Sequence, residues 1–252
     1  LRAMTETQLL DAASKPGGWQ LSATIDGYFL PKSPAEIFAA GEQAHVPLLV
    51  GWNSAEIPYQ AFTGGDMPTP ENYAKKVKQQ YPNDADEVLK LYPGASQDEV
   101  IKSATALASD RFIAYSTWKW ADLHSQTGAG PVYRYVFSTP RPPEVKPSPN
   151  KSPMPPAMVG ASHASEIEFA MGNLPYDNVY AWTPDDYKVS VTMENYFANF
   201  IKTGNPNGKG LPKWEPNTKG SAVKFMNIDV NTKLQSESDR GRYLFLDKAY
   251  TK

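Results

Sequence analysis

Two side chains in this sequence have the types and the order that acid–base chemistry needs. Glu56 lies in GWNSAEIPYQ, residues 51–60, directly after a short apolar run. His163 lies in GASHASEIEFAMG, residues 160–172, where small residues allow a tight loop. A carboxylate bonded to one imidazole nitrogen fixes the tautomer and stabilises the imidazolium. The other nitrogen is then left to take a nucleophile's proton. Taken singly, Glu56 reads as a solvated loop glutamate and His163 as a loop histidine bonded to backbone. An acid after one strand and a histidine after a later one is what points to the base half of a triad.

The nucleophile is not evident. No cysteine is present, which excludes thiol chemistry, disulfides and Cys-zinc sites. No G-x-S-x-G occurs. The nearest cases are GASHA, residues 160–164, and GASQD, residues 94–98. The first lacks the second glycine and sets Ser162 beside His163, a poor start for in-line attack. The second puts Ser96 just before a helix, where it reads as an N-cap. His163, Glu166 and Glu168 include an H-x-x-E spacing, so two of them share a helix face. Most metal sites need three or four ligands, and His45 and His124 are far away in sequence. No metal and no cofactor are therefore expected. NPNGKG, residues 205–210, has the glycines of a phosphate loop without its Lys-Ser/Thr end, and reads as a helix-terminating turn. Trp52, Tyr59 and Phe62 read equally as a pocket lining near Glu56 and as core.

The elements that must position these groups follow from pattern. Residues 1–13 read as a short helix ended by Pro16, Gly17 and Gly18, and TIDGYFLPKSP carries an Asp-Gly turn of hairpin or tight-loop type. Ser33 caps a short helix with Pro34 at its first position. HVPLLVGWN is a short continuous apolar run that suits a strand buried on both faces of a mainly parallel sheet. Residues 70–92 carry two helices broken at Pro82, and residues 97–126 one long helix with Val100, Ala104, Leu107, Phe112, Tyr115 and Trp118 near helical spacing. PVYRYVFS is a second strand. Residues 139–159 are a proline-rich connection, the kind of long loop that is often functional. A long helix capped by Thr183 and Pro184 ends at Gly204, and AVKFMNI and RYLFL are two weaker strand candidates. The fold class is α/β, with mostly parallel strands flanked by helices. Two clear strands and two weaker ones make a small sheet, more like half of a doubly wound domain than a whole one.

Bulk properties narrow the function classes. At 252 residues the chain can bury a sizeable core. A formal net charge of -2 gives no basic excess for nucleic acid and no polybasic run for a membrane surface. Nothing approaches the roughly 18 consecutive apolar residues of a membrane-spanning helix. The start, LRAMTETQLLDAASKP, is polar and helix-like with no apolar leader segment, and reads as a fragment or a processed product. The 23 prolines, 14 tyrosines and 6 tryptophans lean toward a secreted or periplasmic protein, with the compartment otherwise open.

Three segments, in order, resemble the C-terminal portion of the type-B carboxylesterases, the α/β-hydrolase branch that includes cholinesterases and bacterial para-nitrobenzyl esterases. TIDGYFLPKSPAEIFAAGEQAHVPLLVGWNSAEI is similar to DG-x-x-[LI]-P…VP-[LI]-[LIM]-x-G-x-N-x-[DA]-E. GASHASEIEFAMG is similar to G-x-x-H-x-x-E-[IL]-x-[FY]-x-[FM]-G. ENYFANFIKTGNPNGKGLPKWEPNT is similar to [FW]-x-x-F-[AI]-x-x-G-[ND]-PN…[LW]-P-x-W-P. The likeness covers nearly the whole chain. It implies that Glu56 orients, that His163 acts as general base and then general acid, and that Glu166 supports the histidine. Acid before histidine fits the nucleophile–acid–histidine order of that fold. The serine and the glycine-rich oxyanion loop have no counterpart here and would lie upstream of Leu1. The resemblance implies one α/β-hydrolase domain of which residues 1–252 are the C-terminal part. It also implies a small-molecule ester substrate, the N-terminal part of the same enzyme as partner, and no turnover by this chain alone. Where many members have Asp-Glu-Gly, this chain has Ala55, Glu56 and Ile57, so a different turn after the acid is expected. A non-catalytic, cholinesterase-like binding or adhesion protein stays open at this point, as does an α/β module with accidental motifs.

Overall fold

A computed structural model describes residues 2–15, 23–146 and 159–251. Pro16, Gly17, Gly18 and most of the proline-rich connection lie outside the described residues. The chain divides into two compact units, Leu1–Ile37 and Phe38–Lys252. In the first, α1 (Glu6–Ala13) opens on a capping box between Thr5 and Gln8. The Asp-Gly signal forms a tight loop and no hairpin: the Asp26 carboxylate accepts from the backbone N–H groups of Tyr28 and Leu30 at 2.9 and 3.0 Å. Helix α2 (Pro34–Ala40) begins with Ser33 as cap. Glu36 accepts from the Ser33 N–H at 2.9 Å, and Ser33 Oγ accepts from the Glu36 N–H at 3.3 Å.

The second unit carries a four-stranded sheet in the order β1 (Leu48–Asn53), β2 (Val132–Phe137), β3 (Lys224–Ile228), β4 (Lys233–Ser236). The first three strands run parallel and β4 returns antiparallel. Between β1 and β2 the chain makes α3 (Gln60–Thr63), α4 (Pro70–Gln80), α5 (Ala85–Leu91), α6 (Gln97–Ser109), a π turn at Asp110–Ala114 and α7 (Tyr115–Thr127). Between β2 and β3 it makes α8 (Ile167–Ala170), a 3₁₀ turn at Leu174–Tyr176 and α9 (Pro184–Thr203). Helix α10 (Arg240–Tyr250) follows β4.

Each face of the sheet is covered by helix. On one, Val189, Met193 and Tyr196 of α9 recur at helical spacing and pack with Tyr133, Phe137, Met226 and Ile228 of the sheet. On the other, Val50 and Val132 meet Ala121 of α7, and Trp52 meets Trp118 and Tyr243. Arg134 faces this second side and is buried. Its guanidinium lies 5.3 Å from the Trp52 ring and 5.5 Å from that of Phe225, and pairs with Glu237. A charge is tolerated there because it is paired and sandwiched.

Three sequence expectations need correction. RYLFL is not a strand: it lies in α10, where Tyr243 and Leu246 are buried three residues apart and Leu244 faces out. Tertiary packing overrides the strand propensity of the aromatic run. The fourth strand is instead KLQS, residues 233–236, a polar edge strand with little hydrophobic signature. The helix over 97–126 is continuous, but its middle is a π turn, and Phe112 is exposed rather than on the apolar stripe. The inserted residue rotates the faces, so Val100, Ala104 and Leu107 serve one core cluster while Ala114 and Trp118 serve another.

Gly51 marks the tightest approach within the sheet. A Cβ there would lie 2.4 Å from the Tyr135 carbonyl oxygen and 2.5 Å from its ring. Gly51→Ala is therefore expected to lower stability by about 1–3 kcal/mol, read from the urea unfolding midpoint. An unchanged midpoint would mean that β1 and β2 separate without cost.

Candidate active site

Parallel pairing places the carboxyl ends of β1 and β2 side by side, with Asn53 opposite Phe137. That is where open α/β sheets collect their functional groups. Ser54 N–H continues the ladder to the Phe137 carbonyl at 2.9 Å, and the chain then turns through Ala55 and Glu56. The turn after the acid is held from behind, where Ile57 N–H donates to Ser109 Oγ at 3.1 Å.

The loop carrying His163 is sewn to this turn. Ala161 N–H donates to Ser54 Oγ at 3.0 Å, and Ala55 N–H donates to the Ala161 carbonyl at 2.9 Å. His163 N–H donates to the Glu56 carbonyl at 3.2 Å. A Cβ at Gly160 would come within 2.2 Å of Ser54 Oγ, so glycine there lets that hydroxyl keep its bond to Ala161. Ala164, next to the histidine, has φ +60° and is the one non-glycine residue with positive φ among the described residues.

Between the two loops lies the bond that matters chemically. His163 Nδ1 and Glu56 Oε2 are 2.6 Å apart. The other Glu56 oxygen accepts from the Asn53 N–H at 2.7 Å. The glutamate side chain is 5% exposed and the histidine side chain 52%. The acid is thus buried with both oxygens bonded, and the imidazole reaches from it toward solvent. A carboxylate acceptor requires the proton on Nδ1, which leaves Nε2 with its lone pair free to accept. The other two histidines have different work. His45 Nε2 is 3.0 Å from the Gly41 carbonyl, and buried His124 has Nε2 2.9 Å from that of Val46.

Glu166 stands at the N-cap of α8 and accepts from Asn53 Nδ2, which also donates to the Ser162 carbonyl at 2.6 Å. Its tie to the histidine loop therefore runs through Asn53. Tyr135 of β2 is close enough to feel the charges of both carboxylates. Burial, with the nearby charges of Glu166 and Glu56, raises its pKa well above the ordinary range, so the phenol stays neutral. Ser165 is fully buried. Among the described residues, no group of three or more His, Cys, Asp or Glu side chains is arranged to hold a metal. Likewise, no helix among the described residues is long and apolar enough to cross a membrane. NPNGKG follows the left-handed Gly204 that ends α9, and Asn205 Oδ1 accepts from the Asn207 N–H at 3.0 Å. Of the aromatics near the acid, Phe62 is core, against Tyr73 at 5.7 Å, with Tyr59 packed on the same cluster. Trp52 packs edge-on to Tyr243 at 5.9 Å.

Two residues at the site escape sequence reasoning. Phe112, turned outward by the π segment, meets the His163 ring edge-on with centroids 5.0 Å apart. Only the extra residue of the π turn gives it that direction, and helical periodicity does not reveal such a residue. Asn53, the last residue of β1, is buried at 2% and bridges the two loops. Its polar type at the end of an apolar strand was the available signal.

Asn53→Ala would leave the Ser162 carbonyl and the Glu166 carboxylate without their donor, an expected loss of about 1–3 kcal/mol. Asn53→Asp would set a second carboxylate against Glu166 and is expected to cost more. Denaturant titration of both variants checks this, and equal losses would reduce Asn53 to a space filler.

The profile of the Carboxylesterase family matches residues 1–246. The chain is 29% identical over 230 residues to carboxylesterase 4A of Bos taurus, covering 86% of this chain and 40% of that protein. It is 29% identical over 228 residues to cocaine esterase of Homo sapiens, covering 85% and 39%. With liver carboxylesterase 1 of Oryctolagus cuniculus it shares 31% over 210 residues, covering 77% and 35%. The chain spans about 40% of the length of the curated relatives it matches. With an α/β sheet that is mostly parallel and a family match over nearly its whole length, this chain belongs to the carboxylesterase family of the α/β-hydrolases.

Proposed function

We propose that residues 1–252 form the C-terminal part of one α/β-hydrolase domain and supply the acid and base of a serine carboxylester hydrolase. Glu56 is the acid, His163 the base, and Glu166 a support for the histidine loop. The observation that carries this reading is the 2.6 Å bond from His163 Nδ1 to a buried Glu56, with the imidazole half exposed. A histidine kept only for packing has no need of a buried carboxylate behind it.

The chemistry follows from that arrangement. Nε2 takes the proton of a serine hydroxyl as its oxygen attacks the ester carbonyl, and Glu56 stabilises the imidazolium. Nε2–H then gives the proton to the departing alcohol, leaving an acyl-enzyme. Water, deprotonated by the same nitrogen, releases the acid and restores the serine. The substrate is a small-molecule ester.

The serine and the oxyanion donors belong to a part of the enzyme outside these residues. Two features support this. The relatives named above are more than twice as long as the matched portion. Moreover, β1, an apolar parallel strand, has β2 as its one neighbour in the described sheet. Parallel strands are seldom left at a bare edge, so further strands fit beside it, and the partner of this chain is the rest of the same enzyme.

Two experiments test the reading. A fluorophosphonate probe is expected to leave the 252-residue chain unlabelled and to label one serine in the longer protein outside these residues. Labelling inside the chain would refute the assignment of the nucleophile, and no labelling in the longer protein would favour a non-catalytic binding role. In the longer protein, His163→Ala is expected to lower kcat by about 10⁶-fold. Turnover that survives this change would remove His163 from the mechanism.

A further inference from the structure

We infer that Arg141 is a positioning residue for His163, acting through the carbonyl of left-handed Ala164. This rests on the role proposed above for His163.

The backbone at Ala164 needs an explanation. An alanine at φ +60° sets its Cβ against its own carbonyl, and such a conformation persists only where the surroundings over-determine it. The bonds to the acid turn involve Ala161, Ser162 and His163, all before Ala164. A turn bond from the Ser165 N–H to the Ser162 carbonyl at 3.0 Å spans Ala164, and what takes hold of the Ala164 carbonyl itself is Arg141. Its Nη2 donates to the Ala164 carbonyl at 2.9 Å and to the two Glu168 oxygens at 2.6 and 2.8 Å. The guanidinium lies 5.2 Å from the Tyr180 ring centroid.

Arg141 is itself well anchored. It stands four residues beyond the end of β2. The segment after it is pinned by Ala181 N–H to the Pro143 carbonyl and by Val145 N–H to that of Val179, each at 2.9 Å. A charged donor on a fixed segment thus holds one carbonyl in the direction that positive φ gives it. If Ala164 relaxed to right-handed backbone, that carbonyl would swing off Arg141 and the preceding imidazole would lose its aim at Glu56. Lysine would keep the charge but not the guanidinium over the Tyr180 ring.

The test uses the longer protein and four variants: Arg141→Ala, Arg141→Lys, the double change Arg141→Ala with Ala164→Gly, and His163→Ala as control. Arg141→Ala is expected to lower kcat about 10- to 100-fold, the range typical of lost outer supports. KM is expected to stay within about two-fold, because no binding contact is removed. Arg141→Lys should fall between. The decisive variant is the double one. Glycine adopts positive φ freely, so it should recover most of the kcat lost on removing the clamp, which a general loss of folding would not allow.

The inference is overturned if Arg141→Ala leaves kcat unchanged while His163→Ala abolishes it, or if glycine at 164 restores nothing. Should turnover survive His163→Ala, the triad reading fails on its own account. The downfield proton resonance of His163 Nδ1 then decides the positioning claim. Loss of that resonance in Arg141→Ala with return in the double variant sustains it, and an unaltered resonance in Arg141→Ala overturns it.

Discussion

A buried carboxylate is expensive unless both oxygens are bonded, and much of this molecule can be understood as meeting that demand at Glu56. One oxygen takes the N–H of Asn53, three residues back in the same turn. The other takes the imidazole of a residue 107 positions away. The second bond exists only because β1 and β2 are adjacent, parallel and in a register that ends them together at Asn53 and Phe137. A slip of one residue would exchange the faces of β1 and send the acid turn to the wrong side of the sheet. The long helical crossover between the strands is the ordinary requirement of parallel pairing. Here it also brings Ser109 to brace Ile57 just behind the acid. Fold and site therefore share one constraint.

How far the sequence foretold this depends on whether the signal was local. Short, apolar β1 was legible from composition alone. The caps at Ser33, Ser96 and Thr183 were legible because their oxygens bond within three residues. Glu56, His163 and Glu166 could be picked out because their order and spacing follow a known pattern, although neither spacing nor order reveals a 2.6 Å contact. What stayed hidden depends on distant partners. RYLFL is aromatic enough for a strand, but Tyr243 stacks on Trp118 at 5.4 Å and Lys119 pairs with Asp247 at 2.8 Å, and both contacts need a helix. Arg141 sat unnoticed in a proline-rich run because its partners, Ala164, Glu168 and Tyr180, are 23 to 39 positions on.

The same helix α10 accounts for the least legible feature of the site, the outward turn of Phe112. The π segment starts at Asp110, a fully enclosed carboxylate whose pKa burial drives upward. Opposing that are Arg242 of α10, with Nε and Nη2 each 2.9 Å from one carboxylate oxygen, and the Tyr92 hydroxyl at 2.8 Å from the same oxygen. Burial works against the Arg242 charge as well, yet Asp110 and Asp239 carry its pKa above the usual value, so the cation persists. The pair is fixed in place by packing, with the guanidinium 5.1 Å from the Tyr92 ring centroid. A π turn is a costly local choice that recurs at functional sites. In this protein an ion pair holds its first residue down, while its third residue, Phe112, is free to lie edge-on to His163. The helix that sequence propensity misread as a strand is thus the brace behind an aromatic wall at the side of the His163 imidazole.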